Sequence, residues 1–246
     1  MRVAAVDALG QIGSADAVPV LVAVAGADDR ECAAAALQAL GRISHPDAGP
    51  PLQAALRGEE PHRRAAAAEA LSRRREPSAV DLLEWAAAAD ADPLVVDAAI
   101  EALTVLAADR SVGRSAIKAL VELAADPARQ EQVVGALARV PPDSSDAIAH
   151  GLSDARPAVR ITVLRAFGRM RRPEASGWLQ TALADAEPEV RVAAITELRH
   201  LGSRGLEGRM ASLARGDADA GVRRAALVFL TTTAGTPDVA PADGTL

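Results

Sequence analysis

Apolar residues recur along this chain at i, i+3 and i+6, lapse for a short stretch, and return at the same spacing in the next block. The blocks read Val6/Leu9/Ile12, Leu37/Leu40/Ile43, Ala68/Leu71/Arg74 and Ile100/Leu103/Leu106, then Val134/Leu137/Val140, Leu164/Phe167/Met170, Ile195/Leu198/Leu201 and Leu227/Leu230/Thr233. That spacing draws one stripe along a helix, whereas a half-buried strand would alternate. A small residue precedes the central anchor in Ala8, Ala39, Ala70, Ala102, Ala136 and Ala166; Glu197 and Phe229 stand in the same column. The steps are 31, 31, 32, 34, 30, 31 and 32 residues, which makes eight copies with a period near 32. The alanine beside each anchor leaves room for a neighbouring backbone.

A second helix is predicted between successive stripes. DAVPVLVAVAG (16–26) and DAGPPLQAALRG (47–58) begin alike, with Asp16 and Asp47 expected as N-caps and Pro19 and Pro50 in the first turn, where a missing N–H costs little. Later versions are SAVDLLEWAAA (78–88), GRSAIKALVELAA (113–125), SDAIAHGLS (145–153), ASGWLQTALA (175–184) and LEGRMASLA (206–214). Short loops then make each copy a helix hairpin. No hairpin buries its apolar face alone, so the copies must stack. The expected fold is all-α, an α-solenoid built as a superhelix of about eight hairpins over 1–234. The stretch 235–246 lacks periodicity and is expected to be a disordered tail. The chain opens in the second helix of a copy, which leaves apolar surface there; an upstream helix, excision from a longer protein or an N-terminal dimer contact would each account for that.

Composition supports this picture. Hydrophobic residues make up 50% of the chain and aromatics only 2%, so small, helix-favouring side chains do the packing. The net charge is −6; residues 1–123 carry 12 basic and 18 acidic side chains, and 124–246 carry 15 of each. That balance disfavours nucleic acid as a partner. Lys118 is the only lysine, which we read as compositional bias. A single cysteine, Cys32, excludes an internal disulfide and is expected to be buried. No window approaches the ~18 apolar residues of a membrane span. Asp7 and Gly10 interrupt what would otherwise resemble a signal peptide, so no membrane association and a cytoplasmic location are expected.

The blocks Asp-x-x-x-x-Val-Arg-x-x-Ala/Val-x-x-x-Leu/Phe at 154–167, 185–198 and 217–230, together with the Asp-Ala-x-Pro helix starts, resemble HEAT repeats of the type named after phycobilisome lyases. The resemblance spans about 1–234. The Val-Arg step is lost at Cys32-Ala33, Arg63-Arg64, Val95-Val96 and Arg129-Gln130. In that family the Asp–Arg pair forms a ladder through the stack. The pairs Asp154/Arg160, Asp185/Arg191 and Asp217/Arg223 are accordingly read as structural joints, since a catalytic constellation does not recur in register. Each arginine can reach its own aspartate or that of an adjacent copy. The resemblance also implies protein binding by a scaffold or adaptor. Its other implications are a bilin-lyase-like subunit or regulatory subunit of an enzyme complex, disfavoured by the absence of tyrosine, and a nucleic-acid-binding protein.

Catalytic chemistry finds no support. His45, His62, His150 and His200 fall in different copies and columns. The repeated His-Glu pairs that hold iron in deoxyhypusine hydroxylase, a HEAT-like enzyme, are missing. No catalytic, metal-binding or cofactor-binding residue is assigned and no cofactor is expected. Trp85, Trp178, Phe167 and Phe229 are read as packing residues. What remains is the surface of the stripe helices, which the family resemblance places on the concave face. Its upper column reads Asp7, Gln38, Glu69, Glu101, Gly135, Arg165, Thr196, Val228; its lower reads Gln11, Arg42, Arg73, Val105, Arg139, Arg169, His200, Thr232. Candidate partner-binding residues are Arg42, Arg73, Arg74, Arg139, Arg165, Arg169 and His200, facing an acidic peptide or helix of another protein. Competing with that use are helix-dipole complementation and an i,i+4 pair between Glu69 and Arg73. Arg74 replaces an aliphatic stripe residue and marks a contact or hinge.

Overall fold

The computed structural model of the protein describes residues 2–172 and 174–233; the segment 235–246 lies outside them. In chain order the helices are α1 (Arg2–Ile12), α2 (Val18–Ala25), α3 (Arg30–Arg42), α4 (Gly49–Leu56), α5 (Pro61–Leu71), α6 (Pro77–Ala89), α7 (Pro93–Leu106), α8 (Gly113–Leu123), α9 (Gln130–Ala138), α10 (Ser145–Ala149), α11 (Pro157–Met170), α12 (Ala175–Ala182), α13 (Pro188–His200), α14 (Glu207–Gly216) and α15 (Ala220–Thr233). No strand occurs among the described residues. The odd-numbered helices carry the apolar stripes, and α2, α4, α6, α8, α12 and α14 pack against them as hairpin partners, whereas α10 packs on α8. The architecture is all-α, a solenoid of HEAT-type hairpins. Contacts group the chain into two units, one ending at Gly151 and one starting at Leu152.

In the first unit α1, α3, α5, α7 and α9 pack side by side, with α2, α4, α6 and α8 against α3, α5, α7 and α9 in turn. In the second, α11, α13 and α15 form the row, and α12 and α14 pack on α13 and α15. The anchors Leu40, Leu71, Leu103, Leu137, Phe167 and Leu198 are all buried, each contributing about 1.5–3 kcal/mol of burial. The alanine column meets glycines that precede it by one copy. A Cβ on Gly10 would lie 2.7 Å from Ala39, and one on Gly41 only 2.5 Å from the Ala70 carbonyl oxygen.

Two stripe positions are exposed, while Leu9, Met170, Leu201 and Leu230 are partly buried. Ile12 is 71% exposed, and Leu227 is exposed as well. α1 packs chiefly on α3, and its other side leaves Ala4, Ala5 and Ala8 in solvent too. Leu227 lies on a face of α15 turned away from α13 and α14. The caps of the first two hairpins also differ from expectation. A 3₁₀ turn precedes α2 and another precedes α4, so Asp16 and Asp47 fall inside a turn. Capping comes from two residues earlier, where Ser14 Oγ accepts from Asp16 N (3.2 Å) and His45 Nδ1 from Asp47 N (3.3 Å).

The joints between copies use a fixed arginine geometry. Nε and Nη2 of Arg191 donate to the two carboxylate oxygens of Asp217 (3.0 and 2.7 Å), while Nη1 donates to the carbonyls of Asp185 and Ala186 (2.8 and 3.0 Å). Asp217 also accepts from Asp219 N at the next helix start (2.9 Å). Arg223 repeats the carbonyl half, onto Asp217 and Ala218. Arg64 builds the same joint in the first unit, onto Asp90 (2.7 and 2.9 Å) and the carbonyls of Gly58 and Glu59. Gln130 keeps the carbonyl half alone, on Ala124. These contacts shift the partners' titration. Arg64 holds the Asp90 carboxyl below its ordinary value, and Arg191 does so for Asp217. At Asp185 burial pushes the carboxyl up, but the Arg160 hydrogen bonds and the Glu187 N–H outweigh it and the net shift is down.

Candidate partner-binding face

All eight residues of the lower column are exposed, and none of the upper column is buried. The side chains that the packing leaves unused therefore stand in register on α1, α3, α5, α7 and α9 in one unit and α11, α13 and α15 in the other. In the first unit the face holds a groove of about 510 Å³, lined by Asp7, Gln38, Arg42, Glu69, Glu101 and Val105 among others.

The arginines of this face reach back one copy. Arg42 donates to Asp7 (3.3 Å) and Arg139 to Glu101. Arg73 donates to the amide oxygen of Gln38, whose nitrogen donates to Glu69 (3.0 Å). The i,i+4 pair expected between Glu69 and Arg73 is thus replaced by a relay through Gln38. The reason is local: α5 ends at Leu71, so Arg73 sits in the turn and has left helical spacing from Glu69. In the first unit Arg42 and Arg139 are charge-balanced by the copy before, whereas Arg73 faces a neutral amide.

Arg74 does not belong to this surface. It is 6% exposed and donates to the carbonyls of Ile43 (3.0 Å) and His45 (3.4 Å) and to Glu76 (2.6 Å). Where other copies place an aliphatic residue, this one ties three loop acceptors together. Together with His45, Arg73 and Arg75 it lines a cleft of about 900 Å³ between the loops that follow α3 and α5.

In the second unit Arg165 is half-buried, and Arg169 and His200 are exposed. His200 Nδ1 lies 3.4 Å from Glu197. Glu197 occupies the alanine column, and Gly168 makes room for it: a Cβ there would fall 2.0 Å from its carboxylate. Asp154 is bound by Arg156 rather than by the arginine of its own pair (2.8 and 2.7 Å), which with a backbone N–H lowers its pKa to about 2.

The remaining chemistry-bearing residues are dispersed. His45 caps a turn, His62 is exposed, and His150 contacts the Asp146 carbonyl (2.8 Å). Among the described residues no group of three His, Cys, Asp or Glu is placed to hold a metal, and no helix is long and apolar enough to cross a membrane. Cys32 is buried. Phe167 and Phe229 are core residues, and Trp178 stacks on Phe167 at 4.6 Å. Trp85 is instead substantially exposed, under the Arg57 guanidinium at 5.4 Å.

Sequence reading missed Arg64, although Pro61 stands three residues before it as Pro157 and Pro188 stand before Arg160 and Arg191. It also missed the Gly10–Gly41–Gly168 column, legible as a glycine directly after the three anchors Leu9, Leu40 and Phe167. The Gln38 relay had no signal in one sequence.

The family profile described as HEAT repeats matches residues 26–104 and 175–242, and that of the PBS lyase HEAT-like repeat matches 1–26. No curated protein matches the chain. Among solved structures, human deoxyhypusine hydroxylase in complex with glycerol is similar at 20% identity, over 94% of this chain and 89% of that one, with a TM-score of 0.39. The CpcE–CpcF complex of phycocyanin lyase from Nostoc sp. PCC7120 is similar at 22%, over 86% of each chain, with a TM-score of 0.41. A designed armadillo repeat protein is similar at 18%, over 88% of this chain and 99% of that one, with a TM-score of 0.31. The HEAT-repeat profile alone spans more than half of the residues: the chain belongs to the HEAT-repeat family.

Proposed function

We propose that this protein is a non-enzymatic adaptor that binds another protein on the exposed face of its stripe helices. One observation carries the reading. The lower column is exposed at every copy while most of the flanking stripe is buried, so the fold presents a periodic row of side chains that its own core does not need. Stacked helices repeat such positions about every 10 Å, a spacing that suits a peptide or helix laid across them. The cross-copy pairs fit this use. Exposed ion pairs such as Arg42–Asp7 contribute only ~0–1 kcal/mol, so a partner's carboxylate can exchange with the internal one at little cost. Interleaved Asp7, Glu69 and Glu101 oppose a phosphate backbone on the same face.

The test is site-specific photo-crosslinking in the native cell. A photoreactive residue is placed at Arg42 or Arg139 on this face, and at Val20 or Trp85 outside it. Crosslinks to another protein from the first pair and not the second are expected. Crosslinks from Val20 or Trp85 alone would overturn the reading.

A further inference from the structure

Arg73 differs from the other arginines of its neighbourhood. Arg42, Arg74, Arg75 and Arg139 each pair with a carboxylate (Asp7, Glu76, Asp109 and Glu101), whereas among the described residues Arg73 donates only to the Gln38 amide. It lines a cleft of about 730 Å³ between the C-terminal ends of α5 and α7. Arg75 and Arg110 line it too, and Asp109 is the one acid on its wall, already engaged by Arg75. Arg110 is exposed and has no ion-pair partner among the described residues. The partial negative charge of two helix ends accounts for some of this basicity but amounts to only about half a charge per helix. An excess of positive charge is left facing solvent.

The floor of the same cleft is apolar. Val105 takes the column position that Arg42, Arg73 and Arg139 hold in other copies, and it is 52% exposed, with Ala108 beside it. An exposed branched aliphatic residue set between uncompensated guanidinium groups asks for a ligand that is acidic and apolar at once. Arg73 and Val105 lie one helix apart in the stack, about 10 Å, which an extended chain covers in about three residues.

We infer that this cleft seats an extended acidic segment of a partner protein, with a carboxylate on Arg73 and Arg110 and, about three residues along, an aliphatic side chain on Val105. The inference rests on the adaptor reading and gives the partner's recognition element its chemistry. A basic segment is repelled by three guanidinium groups, and an acidic segment without an aliphatic residue leaves Val105 in water.

Fluorescence anisotropy of labelled ten-residue peptides carrying Asp-x-x-Leu, Asn-x-x-Leu or Asp-x-x-Ser, titrated with the full chain at about 50 mM salt, tests this. The Asp-x-x-Leu peptide is expected to bind about tenfold more tightly than either counterpart. Arg73→Glu and Val105→Asp abolish that preference, and Arg57→Glu, on another surface, leaves it intact. Gln38→Glu is the sharpest variant: it supplies the missing carboxylate to Arg73 without removing the arginine, and should weaken the peptide while the melting temperature holds or rises. Equal binding of the three peptides, no binding at all, or folded Arg73→Glu and Val105→Asp proteins that bind like wild type would each refute it. If the peptides fail while crosslinks from Arg42 and Arg139 persist, this inference falls and the adaptor reading stands.

Discussion

Arg160 binds Asp185, the aspartate of the following copy, and not the carboxylate of Asp154 six residues before it. Its Nε and Nη2 meet the Asp185 oxygens at 2.9 and 2.8 Å, and its Nη1 takes the backbone carbonyls of Asp154, at 2.7 Å, and Ala155, at 3.3 Å. One guanidinium thus holds the loop behind it and the loop ahead. Both partners are largely buried, so deleting the arginine strands a carboxylate and two carbonyls. Arg191→Ala, which breaks the equivalent joint, is expected to lower stability by about 2–3 kcal/mol and leave partner binding intact in the folded fraction. Urea denaturation with a parallel binding assay checks this; lost binding at unchanged stability would mean that the joint is a recognition site.

Arg63 and Arg64 are adjacent in sequence and unequal in structure. Arg64 makes the full joint to Asp90, whereas Arg63 bonds the Ala27 carbonyl and an exposed Glu60. Arg64→Ala should cost as much as Arg191→Ala, and Arg63→Ala about 1 kcal/mol or less. Comparing the two denaturation midpoints decides it.

Acid should loosen the stack in a defined window. Asp90, Asp154, Asp185 and Asp217 all have folded values below their ordinary one, with Asp154 at about 2. Such groups bring stability that is complete above the unfolded value and is lost as pH falls through the folded one. Stability should be level from pH 7 down to about 5 and then decline towards about 2. In Arg191→Ala the decline should be shallower, because Asp217 has lost the contact that lowers it. Urea midpoints measured across that range test both statements.

Arg171 caps α11 with a φ of 52°, in the column where Gly13 and Gly202 have φ of 70° and 63°. The left-handed conformation carries a Cβ penalty that glycine avoids. Arg171→Gly is expected to raise stability by about 0.5–1 kcal/mol, seen as a higher melting temperature in calorimetry.

Gly41→Ala should do the reverse. The added methyl would meet the Ala70 carbonyl at 2.5 Å, backbone against which α3 cannot yield without parting from α5. A loss of about 1–3 kcal/mol is expected, whereas Gly177→Ala, with open space around its Cβ position, should stabilise α12 slightly. Paired thermal melts of the two variants separate the effects.

The helices and their stacking were legible because period and buried stripe are the same fact seen twice. Leu40, Leu103 and Leu198 recur because each must fill the same gap. The candidate face was legible only as columns. Position in a column says that Arg73 and Arg139 share an address, not that one meets Gln38 and the other Glu101. That depends on where α5 stops, and it stops at Leu71, before Arg73 is reached. Arg64 was hidden for another reason: its copy has Gly58 where the motif has aspartate, so the motif reads as broken when half of it stands in the next copy.

The direction of the arginine joint also decides what can be transplanted between proteins of this kind. Copy three supplies Arg64 without its own aspartate, and copy four supplies Asp90 with Val96 in place of the arginine, yet between them they close one complete joint. The exchangeable block therefore runs from one copy's arginine to the next copy's aspartate and straddles the hairpin boundary. Chimaeras cut at hairpin edges would sever it, and those cut just after the aspartate would carry it whole.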